Sequence, residues 1–295
     1  MQEWRADIVL DEHTGLGEGP IWWSEEQCLL WVDIEASRIG LYQPEKKSNR
    51  WINIGRHVGC VTPMQSGKLL LACRDGFHRL DIDTEKLDLI DDPERTIRGN
   101  RFNDGKCDPW GRFLAGSMSY QFTEGAGTLW CLDSSLKAYP ILKHLGISNG
   151  LAWNLERSCF YFIDSITRKV EVFELDSKGS IVKSLGACIE IPKEWESLPD
   201  GMTIDDEGML WIALFAGGSV MRWDPSNGEL IGKVDVPCKQ VTSCAFGGRK
   251  LNQLFITTAR RELSVEECRN QPFAGGLFVA DVGTTGPAAT LFNQL

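Results

Sequence analysis

The chain has 295 residues, with 31 Lys and Arg against 41 Asp and Glu and a net charge of −10. That balance leaves no basic patch for a phosphate backbone, so nucleic acid is not an expected partner. No run approaches the roughly 18 apolar residues of a membrane span, and Met1-Gln2-Glu3-Trp4-Arg5 lacks the parts of a signal peptide; a cytoplasmic protein with no membrane partner is expected.

Short apolar runs follow one another along the chain, each bounded by turn residues. Four begin at an acid-or-amide plus glycine pair: Glu18-Gly19, Asp104-Gly105, Asn149-Gly150 and Asp200-Gly201. Each is followed at a similar distance by a second run: Leu29 to Asp33, Arg112 to Gly116, Phe160 to Asp164 and Leu210 to Ala213. Two further copies, at Val61-Thr62-Pro63-Met64 and Ser243-Cys244-Ala245-Phe246, keep the body without the polar-glycine head. Later runs end in Asp81, Asp133, Asp176 and Asp224 followed by turn residues, a strand-then-turn signal.

Six copies thus begin near residues 19, 62, 105, 150, 201 and 243. A period of about 40–50 residues built of several short strands predicts an all-β chain, a six-bladed β-propeller of four-stranded antiparallel blades occupying residues 1–295 as a single domain. Two segments lie outside the count, Ala6 to Leu10 and Pro287 to Leu295. Either can supply the outer strand of the sixth blade, closing the ring by pairing the N- and C-terminal strands and leaving no unpaired edge. Helical periodicity is missing; Pro192 to Glu196 can make one turn, and Ser264-Val265-Glu266-Glu267 has the form of a capping box.

The ten cysteines stand singly from Cys28 to Cys268 with no Cys-x-x-Cys, which predicts buried reduced thiols and neither a disulfide framework nor a zinc site. The four histidines show no ligand spacing. His57, in a turn ahead of the second blade, can face a pocket, but a structural or solvent role is the expectation.

Equivalent places in a radial repeat converge on one axis. The polar heads Glu18, Asp104, Asn149 and Asp200 would therefore gather carboxylates and an amide oxygen there, the donor set of a hard divalent cation. Chemistry is densest in Arg101-Phe102-Asn103-Asp104-Gly105-Lys106. In one such loop alone, turn hydrogen bonds of Asn and Asp would be the plainer reading. Matching polar residues in three other copies weigh against it.

At these residues the chain resembles the lactone hydrolases grouped with gluconolactonase, senescence marker protein 30 and luciferin-regenerating enzyme. The stretches that carry the likeness are Leu16 to Pro20, Arg101 to Lys106 with Asp108-Pro109 and Gly111-Arg112, Ile147 to Leu151, Phe162 to Ser165, Pro199 to Met202, Thr242 to Gly248 and Gln271 to Gly276. The resemblance implies a propeller with one catalytic divalent metal in its channel. Glu18, Asn149 and Asp200 would be the metal ligands, and Asp200 would double as general base. Arg101 and Asn103 would bind the substrate, and Asp104 would fix the loop. Where the family carries a substrate-contacting glutamate this chain has Gln121, in a shorter stretch with Tyr120 and Glu124, so Gln121 is a candidate substrate contact of altered specificity.

An all-oxygen shell suits Ca²⁺, Mg²⁺ or Mn²⁺ and still admits Zn²⁺. Helical periodicity is missing, so no strand-to-helix elbow presents a Ser nucleophile, and no Cys–His pair is suggested, which leaves metal-assisted hydrolysis of a small-molecule sugar lactone to an aldonic acid. The alternatives are hydrolysis of a phosphotriester or phosphofluoridate, and a non-enzymatic calcium-binding regulatory or scaffold protein. A monomer or homodimer is expected.

Overall fold

The computed structural model describes residues 1–294. Six antiparallel sheets follow one another along the chain. From inside outward, the first blade is Gly17–Trp23, Cys28–Asp33, Arg38–Gln43 and Ser48–Asn53, and the second runs from Val58–Pro63 to Leu87–Asp91. The third runs from Asn100–Cys107 to Ala138–Leu145, and the fourth from Ser148–Asn154 to Ile181–Glu190. Leu198–Ile204 opens the fifth and Val241–Gly247 the sixth. Each innermost strand touches the innermost strands of both neighbours, so the six surround a common axis.

The expected repeat is therefore the observed one, and its sequence signature has a structural cause. A blade is covered on both faces by its neighbours, so its inner strands read as nearly continuous apolar runs rather than as an alternation. Along Cys28–Asp33, Leu29 packs toward the sixth blade and Leu30 toward the second. Apolar clusters of this kind fill all six blade-to-blade interfaces. The aspartates between strands are turn devices. One oxygen each of Asp108, Asp133, Asp176 and Asp205 accepts the backbone N–H groups two and four residues on. All ten cysteines are free thiols, and all but Cys188 and Cys268 are buried.

Of the two candidate closing segments, the N-terminal one completes the ring. Asp7–Leu10 pairs antiparallel with Leu277–Asp281 as the outermost strand of the sixth blade. The preceding Gln2–Arg5 pairs parallel with Glu229–Asp235, so the fifth blade has five strands instead of four. Trp4 lies against Trp211 with ring centroids 5.4 Å apart. The C-terminal segment does something else: Phe292 exchanges backbone hydrogen bonds with Pro63 and Gln65, and Asn293 donates to Gly111 O. It ties the second blade to the third. The capping box at Ser264 forms as expected and starts a helix over Val265–Asn270. A short 3₁₀ turn occupies Lys193–Trp195.

Deleting residues 1–10 would bare the edge of Leu277–Asp281 and the face of Trp211. The expected result is a melting temperature lower by roughly 10 °C or more, given shifts of about 2–4 °C per kcal/mol in large domains, with oligomers on gel filtration. A truncated protein that melts with the full chain and stays monodisperse would show that the ring stands without its closing strand.

Candidate functional site

The polar-glycine pairs turn out to be bulges. Pairing of the first with the second strand slips between Glu18 and Ile21, Phe102 and Gly105, Asn149 and Leu151, and Pro199 and Met202. The two blades without a polar head slip as well, between Val58 and Cys60 and between Val241 and Ser243. A bulge leaves a residue unpaired and re-aims its side chain. Here it sits at the same place in all six blades, where the innermost strands crowd the axis. The glycines permit the crowding: a Cβ on Gly201 would stand 2.0 Å from Ser243 Oγ, and one on Gly150 would be 2.7 Å from Met202 Cβ.

Glu18, Arg101, Asn103, Asp104, Asn149 and Asp200 are all buried. Arg101 Nη1 donates to Asn103 Oδ1 at 2.7 Å, and Asn103 Nδ2 donates to Ser148 O at 2.9 Å and to Asn149 Oδ1 at 3.2 Å. Asn149 Nδ2 donates to Ser165 Oγ at 2.9 Å, and that hydroxyl donates to Pro199 O at 2.6 Å, one residue before Asp200. Ser165 thus fixes the Asn149 amide with its oxygen turned toward Asn103, a role sequence reasoning did not assign although the residue stands in the Phe162-Ile163-Asp164-Ser165 stretch. Asp104 accepts from Gly105 N at 2.8 Å. Lys106 Nζ, behind it, donates to Leu151 O and Met202 O.

The negative charge of this pit is only partly compensated. Burial, then the charge of Asp104, pushes Glu18 up to about 8. Burial, then Glu18 and Asp104, holds Asp200 well above the usual carboxylate range, against a hydrogen bond from Asn149 and the charge of Arg101. Asp104 is raised by burial and opposed by Lys106. Among the described residues no three His, Cys, Asp or Glu side chains form a ready-made ligand cluster. The set on offer is two carboxylates and one carboxamide. Hard oxygen donors with a surplus of negative charge fit a divalent cation.

The loop after Phe113–Ser119 places its residues differently from the sequence expectation. Gln121 is exposed, and only its backbone N–H is bonded, to Ser119 Oγ. Tyr120, also exposed, reaches across to the second blade: its hydroxyl is 2.8 Å from His57 Nδ1, and the Arg74 guanidinium lies 5.7 Å from its ring. His57 therefore stands at the edge of the site and is not a remote structural residue. Burial, then the charge of Arg101, lowers its pKa. Farther along the loop, Phe122 meets the Arg261 guanidinium at 5.7 Å, and Arg261 also pairs with Glu35 at 3.2 Å. Third and sixth blades lie on opposite sides of the ring, so this contact spans the mouth. Neither pairing could be read from sequence, because each joins segments far apart in the chain.

Comparison with known proteins matches residues 16–260 to the model of the SMP-30/Gluconolactonase/LRE-like region. A Bacillus subtilis protein named "Putative sugar lactone lactonase YvrE" is 38% identical over 282 residues, covering 95% of this chain and 96% of its own. Regucalcin of Danio rerio is 35% identical over 290 residues, covering 97% of each chain. The crystal structure of a calcium-binding protein, regucalcin from Agrobacterium tumefaciens, superposes with a TM-score of 0.94 over 99% of both chains at 24% identity, a likeness of fold. The bulged ring, its polar-glycine pairs and the match over residues 16–260 establish that the chain belongs to the SMP-30/gluconolactonase/LRE-like family.

Proposed function

We propose that this chain opens a sugar lactone to the aldonic acid at a single divalent cation, Ca²⁺, Mg²⁺, Mn²⁺ or Zn²⁺, held by Glu18, Asn149 and Asp200. The observation that carries the proposal is the burial of two carboxyls, Glu18 and Asp200, so close that the charge of Glu18 adds to burial in holding Asp200 above the usual carboxylate range, beside the Asn149 amide that hydrogen-bonds Asp200. Buried like charges persist where something neutralises them. The names borne by the relatives, sugar lactone lactonase and regucalcin, support the same reading.

When bound, the cation would supply Lewis acidity to a lactone carbonyl and lower the pKa of water. Arg101 and Asn103 hold the substrate, their polar groups already set in one hydrogen-bonded chain that leads to Asn149. Asp200 takes the proton of the attacking water as its oxygen bonds to the carbonyl carbon. The bond from that carbon to the ring oxygen then breaks, and the ring oxygen leaves with the proton that Asp200 returns. Asp104, hydrogen-bonded to Gly105 N and facing Lys106, keeps the loop in place. Tyr120, near Arg101 and hydrogen-bonded to His57, borders the entry and sets which lactone is accepted. A pH-indicator assay of aldonolactones beside an aryl phosphotriester tests the reaction class; turnover of the phosphotriester alone would overturn it.

Asp200→Asn keeps a ligating oxygen and removes the base. Lactone hydrolysis should fall at least about 10²-fold and stay low at saturating cation, the usual worth of a general base. Recovery on adding metal would reduce Asp200 to a ligand. Arg101→Ala should lower kcat/KM while calorimetry still finds one bound cation per chain; lost cation binding would place Arg101 in the metal shell.

The cation-free protein should show an unusual pH dependence. A carboxyl whose folded-state pKa lies above its unfolded value favours folding fully below that unfolded value, and the benefit is lost as pH rises through the folded pKa. For Glu18 the window runs from its ordinary 4.5 to about 8. In a chelator the melting temperature should therefore decline across that window, and saturating divalent cation should remove the decline. Identical profiles with and without cation would mean that no cation sits between these groups.

A further inference from the structure

The second blade carries a basic groove beside the mouth of the candidate site. Cys73 pairs with Val58, so the chain leaves the second strand of that blade at the rim where the axial bulge lies, and Arg74 stands there. Its backbone N–H donates to His57 O at 2.8 Å, and its guanidinium lies 5.7 Å from the ring of Tyr120. Tyr120 in turn reaches His57 and lies in the field of Arg101. On its other side Arg74 lines a groove of about 350 Å³ together with Arg56, Arg95 and Arg98. Arg56 and Asn100 of this groove precede His57 and Arg101 in the chain, so groove and mouth share a wall.

The carboxylates of the groove are engaged, and two of its guanidinium groups are not. Asp75 pairs with Arg56 at 2.5 Å. Glu94, 6% exposed, accepts from Asn100 Nδ2, Trp130 Nε1 and the Ser117 hydroxyl. Asp92 accepts the Glu94 N–H at 3.2 Å and has Arg95 as its neighbouring cation. Arg74 and Arg98 are exposed and make no ion pair or side-chain hydrogen bond among the described residues. Across the mouth Arg261 is paired, with Glu35 at 3.2 Å and Glu262 at 3.3 Å, which leaves Arg74 as the free cation beside Tyr120. A guanidinium fork matches the edge of a carboxylate or phosphate. It also raises the local concentration of an anion that a chain with 41 acidic and 31 basic residues would otherwise repel.

We propose that the lactone carries an oxyanionic substituent, a carboxylate or a phosphate, on the end remote from its carbonyl, and that Arg74 receives it, with Arg98 adding to the field of the groove. The inference rests on the lactonase reading and narrows its substrate class. With the carbonyl toward Glu18, Asn149 and Asp200 and the ring held by Arg101 and Asn103, the remote end leaves the pit past Tyr120, and Arg74 is the donor it meets there. Arg74 sets specificity and takes no part in opening the ring. A neutral lactone offers its fork nothing to grip.

The test uses the full-length, cation-loaded protein and three open-chain acids, gluconate, glucarate and 6-phosphogluconate, which share the carboxylate that hydrolysis creates and differ at the far end. By calorimetry at low salt, glucarate or 6-phosphogluconate should bind at least about tenfold more tightly than gluconate, the usual worth of a hydrogen bond to a charged group. A preference for glucarate alone identifies the substituent as a carboxylate, and one for 6-phosphogluconate alone as a phosphate. Arg74→Ala should bring the ratio close to one, Arg74→Lys should keep part of it, and added salt should shrink it in the wild type. The corresponding lactones should show the same ratios in kcat/KM. Equal affinity for all three acids would overturn the proposal. So would a preference that ignores salt, or one that survives Arg74→Ala in a variant whose melting curve matches the wild type. Binding is read without turnover, so inactivity toward every lactone would count against the lactonase reading and leave the anion contact at Arg74 to be judged by calorimetry.

Discussion

Glu18, Asp104 and Asp200 are buried carboxyl groups near the propeller axis; the charge of Asp104 raises the proton affinity of Glu18, and the charges of Glu18 and Asp104 raise that of Asp200. Closing a ring of six blades compels this meeting, because the innermost strands have nowhere to go but toward the axis. The apolar clusters between blades supply the drive for closure, and the repulsion at the centre opposes it. Arg101 and Lys106 relieve part of the conflict from two sides. What they leave is a negative field in a low-dielectric pit, where a cation is held far more strongly than at an exposed acidic patch. Stability and chemistry are opposed at this centre, a common arrangement where function needs groups that folding alone would exclude.

Bulges make the pit possible. A regular antiparallel strand alternates its side chains between two faces, and both faces of these strands are taken by apolar packing against the adjoining blades. A polar side chain placed in register would be driven into one of those clusters. Slipping the register at the polar-glycine pair frees one residue from the alternation and lets its side chain leave the blade plane. The adjoining glycine is needed for a related reason, since at Gly150 and Gly201 a methyl group would overlap the next strand. Neighbouring inner strands are close enough for Asn103 to reach Asn149 and for Ser165 to bridge to Pro199, and that proximity turns separate strand ends into one connected site.

Much of this was legible in the sequence because it is local. The turn aspartates and the apolar runs recur with the blade, so strand number, blade number and the convergence of the polar heads Glu18, Asp104, Asn149 and Asp200 toward an axis followed from spacing. The capping box at Ser264 was legible for the same reason. Other features depend on contacts between distant segments and leave no local pattern. Gln2–Arg5 adds itself in parallel to the fifth blade with no sequence signal beyond Trp4, and Phe292 crosses to the second blade instead of closing the sixth. Tyr120 and Gln121 are adjacent, and only the fold decides which one turns toward His57. The bulges were hidden in plain view: the polar-glycine pairs were visible, but a break in register is a relation between two strands.

The bridge between Phe122 and Arg261 over the mouth has a kinetic meaning. It joins loops of opposite blades, so any molecule reaching Arg101 from that side passes it. A cation–ring contact at an exposed position is worth about 0.5–1 kcal/mol, which favours the latched arrangement only about two- to five-fold. Such a latch is soft. It yields to thermal motion on the timescale of loops, so it slows arrival by no more than that small factor. Its value lies in screening the pit from bulk water between arrivals, at little cost in encounter rate.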